Sequence, residues 1–391
     1  MNAIAVVIAV FCSLWVVQAA VVFKNLSEIE DLADLDSPDP QQWPRVSVVM
    51  PARNEAADIG GSLESRLADG YPDLEVIAVD DRSTDDTGRI IGEFAARDQR
   101  VKPVRIDALP AGWLGKVHAL DVGVRRATGE WILFSDADIE VAPGALAKAV
   151  AHCEANGFDL LALVPEFRSR SGVVDMLWAI FMRVMSMLAS PKAVRDPASK
   201  VAMGSGGFTL VRRSTFDATP GFEFLRLETA DDVSLGVMVK RAGGRCDYVN
   251  GRGVASLSIY DNLPAFFCGV EKNGATFAGT PIALVAVVFA LFACVEYSPL
   301  VALAVGLAGG VSWLAWLGAL TAFLATVSTV AALHRNTGMV LPALLWPVGW
   351  ALMAAGVLRS AWLAHRRGGV VWRDTFYSNE ELLEAQRFRI G

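Results

Sequence analysis

The five cysteines of this 391-residue chain (Cys12, Cys153, Cys246, Cys268 and Cys294) show no paired spacing and no metal-binding pattern. That absence argues against a disulfide framework and a thiolate zinc site, and points to free thiols in a reducing compartment. An excess of positive charge is also absent, with 35 lysines and arginines against 42 aspartates and glutamates. A formal net charge of −7 gives no basic surface, so no nucleic-acid partner is expected. The first 23 residues lack the basic n-region of a signal peptide, and their apolar run is long for an h-region. They are expected to be a retained anchor. Lys24 follows, which places the next domain on the cytoplasmic side of a membrane.

Apolar residues, by contrast, are abundant: 53% of the chain, with a mean hydropathy of +0.39, above an ordinary soluble enzyme. The excess sits at the N-terminus and after Thr280. Residues 24–44 are acidic, carry Pro38, Pro40 and Pro44, and read as a linker. Residues 45–275 have ordinary globular composition and suffice for one large domain. Residues 281–364 are membrane-like, with Glu296, His334, Arg335 and Arg359 as their ionisable side chains. Breaks at 296–299 and 334–338 suggest spans near 281–297, 300–333 and 339–361. None of these spans is expected to hold paired charges. The tail, 365–391, carries Arg366, Arg367 and Arg373 and is expected to be cytoplasmic as well. Domain and tail on one side require an even number of crossings between them. Either the long middle segment divides, or one segment is re-entrant or interfacial.

Strand and helix patterns alternate through the first part of the globular region. Strands are expected at 46–50, 74–79, 101–106, 131–135 and 160–164. Helices are expected at 57–67, 85–96, 117–127 and 144–155. This alternation implies an α/β fold with a doubly wound, mostly parallel sheet and a site at the strand carboxyl ends. Further on, 208–211 reads as a strand and 228–241 as a helix. Residues 173–188, within a possible interfacial segment 173–190, are apolar almost all round. They read equally as a helix at the membrane interface or beneath a lipid-binding groove, and as a buried core helix.

Five short patterns carry chemistry. Pro51-Ala52-Arg53-Asn54-Glu55 follows the first strand, and the run from Asp80 to Thr87 (DDRSTDDT) follows the second. Gly115-Lys116 opens a helix, Asp136-Ala137-Asp138 follows the fourth strand, and Asp231-Asp232 opens a later helix. Carboxylates recurring at strand ends of one sheet converge on one crevice. The pair Asp136 and Asp138, spaced i and i+2, would share a face in an extended strand and offers hard oxygen ligands to Mg²⁺ or Mn²⁺. Taken singly, each pattern also has a bland reading. Asp136 and Asp138 could be a solvated turn, DDRSTDDT a helix start capped by Ser83 or Thr84, and Asp231-Asp232 a complement to a helix dipole. Gly204 to Gly207 either lets backbone approach a ligand closely or makes a tight bend. His118 reads as structural, and His152 and His365 as surface or interface residues.

Together the strings VSVVMPARNE, EVIAVDDRSTDDT, GKVHALDVGV, GEWILFSDADI and ETADDVSLGVMVKRAGG resemble the family 2 glycosyltransferases of the GT-A fold, over about residues 46–275. LPAGWLGKVHAL, the C-terminal apolar segments and the GVVWRDTFY tail are most similar to the membrane-bound branch, which includes hopanoid-associated, carotenoid-type and ceramide-type enzymes. The resemblance implies a nucleotide-diphosphate sugar donor and a divalent cation. It implies that Pro51, Arg53 and Glu55 line the nucleotide pocket, that Asp80 contacts the base, typically uracil, and that Asp81 supports that loop. Lys116 would lie near the ribose or diphosphate, Asp136 would contact the sugar-nucleotide, and Asp138, with Asp136, would hold the metal. Asp232 takes the place of the catalytic base, with Asp231 beside it where the family has glutamate. Gly206, Gly207 and Lys272 would face the acceptor. The Q-x-x-R-W sequence of processive members is missing, and 269–273 reads GVEKN, so a single transfer is expected. No catalytic role is expected of the tail around Trp372-Arg373-Asp374.

The expected activity is therefore inverting transfer of one sugar, most simply from a UDP-sugar, to a lipid acceptor at the inner membrane. A polyprenyl-phosphate acceptor, a silent scaffold or sensor, and a transporter are the rival readings. Retention of Asp136, Asp138 and Asp232 argues against the silent form.

Overall fold

The computed structural model describes residues 3–258 and 260–387. Met1 and Asn2 of the expected anchor, and the last four residues of the tail, lie outside the described residues. Eight strands form the main sheet: β1 (Val46–Ala52), β2 (Leu74–Asp81), β3 (Val101–Ile106), β4 (Trp131–Phe134), β5 (Ile139–Val141), β6 (Leu160–Phe167), β7 (Thr209–Arg212) and β8 (Cys246–Leu257). Their order is β3-β2-β1-β4-β7-β6-β8-β5. β3, β2, β1 and β4 run parallel, as do β6 and β8, while β7 and β5 pair antiparallel with their neighbours.

β1 and β2 are buried along their whole lengths because helices cover both faces. On one face Val48 and Met50 join Ile59, Leu63 and Leu133, and on the other Val49 and Val79 join Val117 and Leu120. Strands β1, β2, β3, β4 and β6 and the four helices expected among them fall where the sequence pattern put them, to within a few residues. β5 and β8 were not anticipated. β5 has three residues, and β8 contains Asn250-Gly251-Arg252-Gly253, which reads locally as a turn. Its partner β6 shifts register between Pro165 and Glu166 to accommodate the irregularity.

Among the described residues, three helices are long and apolar enough to cross a membrane, by length and composition: Ala3–Glu28, Ile282–Ala308 and Ser312–Thr337. They expose Val17, Leu291, Phe292, Trp316, Leu320 and Phe323 outward. The C-terminal boundaries differ from expectation. The helix runs unbroken through Glu296 and Pro299, and the chain turns instead at Gly309-Gly310, where Gly310 takes a φ of +66°. An apolar helix keeps a proline when neighbouring groups satisfy the freed backbone, and here the Val295 carbonyl, four residues before Pro299, accepts from Trp15 Nε1 and Ser298 Oγ, each at 2.8 Å. A Cβ on Gly318 would lie 2.7 Å from the Pro299 carbonyl oxygen.

The expected absence of paired charges is also corrected. Glu296 accepts two hydrogen bonds from Arg183 Nη2, at 2.8 and 2.9 Å, and both side chains are buried. Arg183 belongs to the Gly172–Leu188 helix, which lies between the sheet and the apolar helices. There Trp178 stacks on Phe167 of β6 at 4.4 Å between ring centroids.

The expected linker is partly built into the fold. The first helix continues to Glu28, Leu32 is fully buried, and Asp31 pairs with Arg335 at 2.8 Å. The tail is ordered on the sheet as well. β9 (Gly369–Trp372) and β10 (Thr375–Ser378) form a hairpin, followed by the helix Asn379–Ala385 with a Ser378–Glu381 capping box. Val370, Tyr377 and Leu382 pack into the same core as Val117 and Leu120.

Candidate active site

The loops after β1 and β2 are stitched together. Asn54, at φ +54°, donates its N–H to Ser83 Oγ at 3.0 Å and accepts from Thr84 N at 2.9 Å. The Glu55 N–H donates to Thr87 Oγ1 at 2.8 Å. Ser83 and Thr84 therefore join loops rather than cap the next helix. Asp85 takes the capping bonds, accepting from Thr87 N and Oγ1 at 3.0 and 2.6 Å. Asp80 is buried, accepts from Ser83 N at 3.0 Å and pairs with Arg105. Asp81 is held by Arg82 at 2.7 and 3.0 Å, with Arg53 Nη1 4.0 Å away.

Asp136 and Asp138 lie on a turn between β4 and β5, not along an extended strand. Asp136 donates its N–H to the Gly206 carbonyl at 3.0 Å, and its Oδ1 lies 2.7 Å from Lys116 Nζ. Lys116 also faces Asp231 Oδ2 at 3.6 Å. Burial pulls the Lys116 ammonium down, but Asp136, Asp231 and Asp232 outweigh it and hold it above the usual lysine range. Asp231 and Asp232 open the helix Asp231–Arg241, where the N-terminal dipole favours carboxylates. Asp232 Oδ2 accepts from the Gly206 N–H at 2.9 Å. Burial, with Asp232 and Asp136 nearby, pushes Asp231 up to about 6 against the pull of Lys116.

Gly206 thus binds Asp136 through its carbonyl and Asp232 through its amide. A Cβ there would sit 2.9 Å from Asp136 Oδ2 and 3.1 Å from Lys116 Nζ, so any larger residue would have to displace these two side-chain ends. A Cβ on Gly207 would instead meet Ile139 and Pro165, at 2.8 and 3.0 Å.

Arg66, which no sequence motif marked, lies under this cluster. It is fully buried and donates to Ser62 O at 3.0 Å, to Ile139 O at 2.5 Å and to Ser135 Oγ. Burial lowers it to about 10, against the attraction of Asp138 and Asp136. Within ESRLADG it looks like any helix-surface arginine, so its role was invisible in the sequence.

Asp138 is the group best suited to a cation. Its Oδ1 is buried without a hydrogen-bond partner, and burial, Asp136 and Glu55 push its carboxyl up to about 7. Among the described residues, no group of three or more histidine, cysteine, aspartate or glutamate side chains is arranged to hold a metal ion. Two carboxylates with the remaining positions open suit a Mg²⁺-type ion that takes substrate phosphate and water as further ligands.

A cavity of about 490 Å³ opens from this cluster. Lys116, Asp136, Gly206, Gly207, Asp231, Asp232 and Lys272 line one end. Phe181, Met182, Met185, Phe266 and Met353 line the other, beside the apolar helices. Pro51, Arg53, Glu55, Asp80, Asp81 and Asp138 are not part of its lining. Lys272 is half-buried, desolvation lowers its ammonium, and its Nζ lies 4.8 Å from the centroid of the Trp372 ring. His118 packs edge-on to Trp113, and burial lowers it. His152 is not at the surface: it is buried and bonded to Asp247 at 2.7 Å, on the far side of β8's start.

The mostly parallel sheet, with acidic turns at its strand ends, defines a GT-A fold. A mannosyltransferase from Pyrobaculum calidifontis, solved with GDP-Man and Mn²⁺, matches this fold over 91% of the present chain and 99% of its own, with a TM-score of 0.53 at 19% identity. Residues 47–219 match the sequence family Glycosyl transferase family 2. It is 38% identical over 100 residues to a probable glycosyltransferase, YdaM, of Bacillus subtilis, covering 25% of this chain and 24% of that protein. It is 27% identical over 199 residues to a 4,4'-diaponeurosporenoate glycosyltransferase of Staphylococcus aureus, covering 49% of this chain and 50% of that protein. The matches thus span half or less of these relatives.

Proposed function

We propose that the enzyme transfers one sugar, with inversion, from a nucleoside-diphosphate sugar, most simply a UDP-sugar, to the hydroxyl of a lipid acceptor. The observation that carries this reading is the continuity of the cavity. It runs from Asp232 and Lys116 to an apolar end at Phe181, Met182 and Met185, beside helices long enough to cross a membrane. An apolar acceptor body fits that end while its hydroxyl meets the carboxylates. The Staphylococcus aureus relative, named a 4,4'-diaponeurosporenoate glycosyltransferase, supports a lipid-like acceptor.

Asp232 is the base. Its Oδ2 is fixed by the Gly206 amide and reaches the cavity. It takes the hydroxyl proton as the acceptor oxygen bonds to the anomeric carbon and the bond to the diphosphate breaks. One displacement with one base inverts the anomeric centre. Asp231, buried beside Asp232, holds Lys116 in place. Lys116 balances the carboxylates on both sides of the site. Asp138, with Asp136, would hold a Mn²⁺ or Mg²⁺ ion, which when bound neutralises charge on the departing diphosphate. The complex of the Pyrobaculum calidifontis mannosyltransferase with Mn²⁺ supports that reading.

The three candidate spans leave two crossings between the globular domain and the tail. An even number would keep both on one face of the membrane, and Lys24 with the tail arginines supports reading that face as cytoplasmic. The domain proposed is 45–275, with the tail hairpin as an added part of its surface.

The test is binding of a nucleotide-sugar panel to the detergent-purified chain with and without Mn²⁺, followed by transfer of label from the best donor into a membrane lipid extract. Mn²⁺-dependent binding with label in the lipid fraction is expected. Label only in free sugar or polymer would refute a lipid acceptor.

A further inference from the structure

The hairpin of β9 and β10 reaches across the site. Its two-residue turn is Arg373-Asp374, with φ values of +47° and +64°. Neither residue is glycine, and side chains in this left-handed region are strained unless their surroundings hold them. Both turn side chains are held by the loop after β1. Arg373 Nη2 lies 3.0 Å from Glu55 Oε1, and Asp374 Oδ2 lies 3.4 Å from Arg53 Nη2. One residue earlier, the Trp372 ring packs beneath Lys272. The hairpin therefore connects the loop after β1 to the lysine on the cavity wall.

Charge makes this contact more than a latch. Glu55 lies within the field of Asp136 and adds to the field at Asp138. A dianionic diphosphate entering here meets three carboxylates, so it needs nearby cations with oxygen-binding capacity to spare. Lys116 is engaged by Asp136 and Asp231, Arg82 by both oxygens of Asp81, and Arg105 by Asp80 and Asp107. Arg373 meets Glu55 through one nitrogen, and its side chain is 32% exposed. A guanidinium has five N–H donors and matches phosphate geometry.

On the reading above that the donor is a nucleoside-diphosphate sugar, we propose that Arg373 is a donor-binding residue. Its guanidinium, held by Glu55 in the structure, contacts the donor diphosphate once that enters, and the tail hairpin forms one wall of the donor site. The tail, of which the sequence suggested no catalytic role, then adds a cation at this point beside Arg53, whose Nε and Nη1 are also without a hydrogen-bond partner.

Equilibrium binding of UDP, GDP and UMP, each with Mn²⁺, to the full detergent-purified chain tests this. R373A is expected to weaken the preferred nucleoside diphosphate by about tenfold or more, the scale of a lost charge-assisted hydrogen bond, with a smaller effect on UMP. R373K should recover part of the loss. D374N breaks the other anchor of the turn without removing the guanidinium, and should bind the diphosphate as well as the wild type. Unchanged binding by R373A would overturn the inference. So would an equal loss in D374N, which would make the hairpin an anchor only. Failure of the wild type to bind either diphosphate would overturn the donor reading itself, and this inference with it.

Discussion

Lys116 Nζ lies 2.7 Å from Asp136 Oδ1 and 3.6 Å from Asp231 Oδ2, joining the turn after β4 to the start of the helix Asp231–Arg241. This one ammonium balances carboxylates from two distant parts of the chain. Replacing it with methionine leaves them buried without a counter-charge, a defect on the order of 3–5 kcal/mol when a buried pair is broken. K116M is expected to lower thermal stability and to abolish sugar transfer. Near wild-type turnover by K116M would show that the lysine is dispensable.

The Asp231 carboxyl titrates near 6, above its ordinary 3.8, because it is buried beside Asp232. A folded pKa above the unfolded value means that folding favours the protonated form. The resulting stability is present below about pH 4 and is lost as pH rises through 6. D231N removes this titration. The melting temperature of D231N relative to wild type should therefore climb between pH 4 and pH 7. A constant offset across that range would contradict the assignment.

Arg183 and Glu296 make the buried pair between the Gly172–Leu188 helix and the first C-terminal apolar helix, with the Trp15 ring 4.6 Å from the guanidinium. Either single change, R183M or E296M, is expected to destabilise the detergent-solubilised protein by about 3–5 kcal/mol. The double variant should regain much of that loss, because no unpaired charge remains. Additive losses would show that the two side chains act independently.

The apolar end of the cavity predicts a selective block. M185W places a larger ring at its wall, where methionine now lies. Lipid transfer should fall about tenfold or more while nucleotide binding is unchanged, since one misplaced acceptor costs orientation rather than donor affinity. Equal loss of both activities would mean that the cavity is not an acceptor channel.

Much of this site could be read from the sequence, and the reasons are local. Asp136, Asp138, Asp231 and Asp232 stand next to strand ends or helix starts, so their convergence follows from the alternating pattern alone. Arg66 could not be found that way, because its importance comes from burial under the Asp136–Asp138 turn, a tertiary fact. β8 was missed because Asn250 to Gly253 imitates a turn while pairing with a bulged partner. The C-terminal helix boundary was placed at 296–299 because proline usually breaks helices, whereas Trp15 and Ser298 bond the freed Val295 carbonyl and the helix runs on. The hairpin's hold on Glu55 joins residues 318 positions apart, beyond the reach of any local pattern.

The most direct measurement compares wild type with D232N for label passing from a bound nucleotide sugar into the lipid fraction. D232N keeps size and polarity but cannot take the acceptor proton. The account predicts nucleotide-sugar binding close to wild type and lipid transfer reduced about 100-fold or more. Lipid labelling by D232N at the wild-type rate would contradict it.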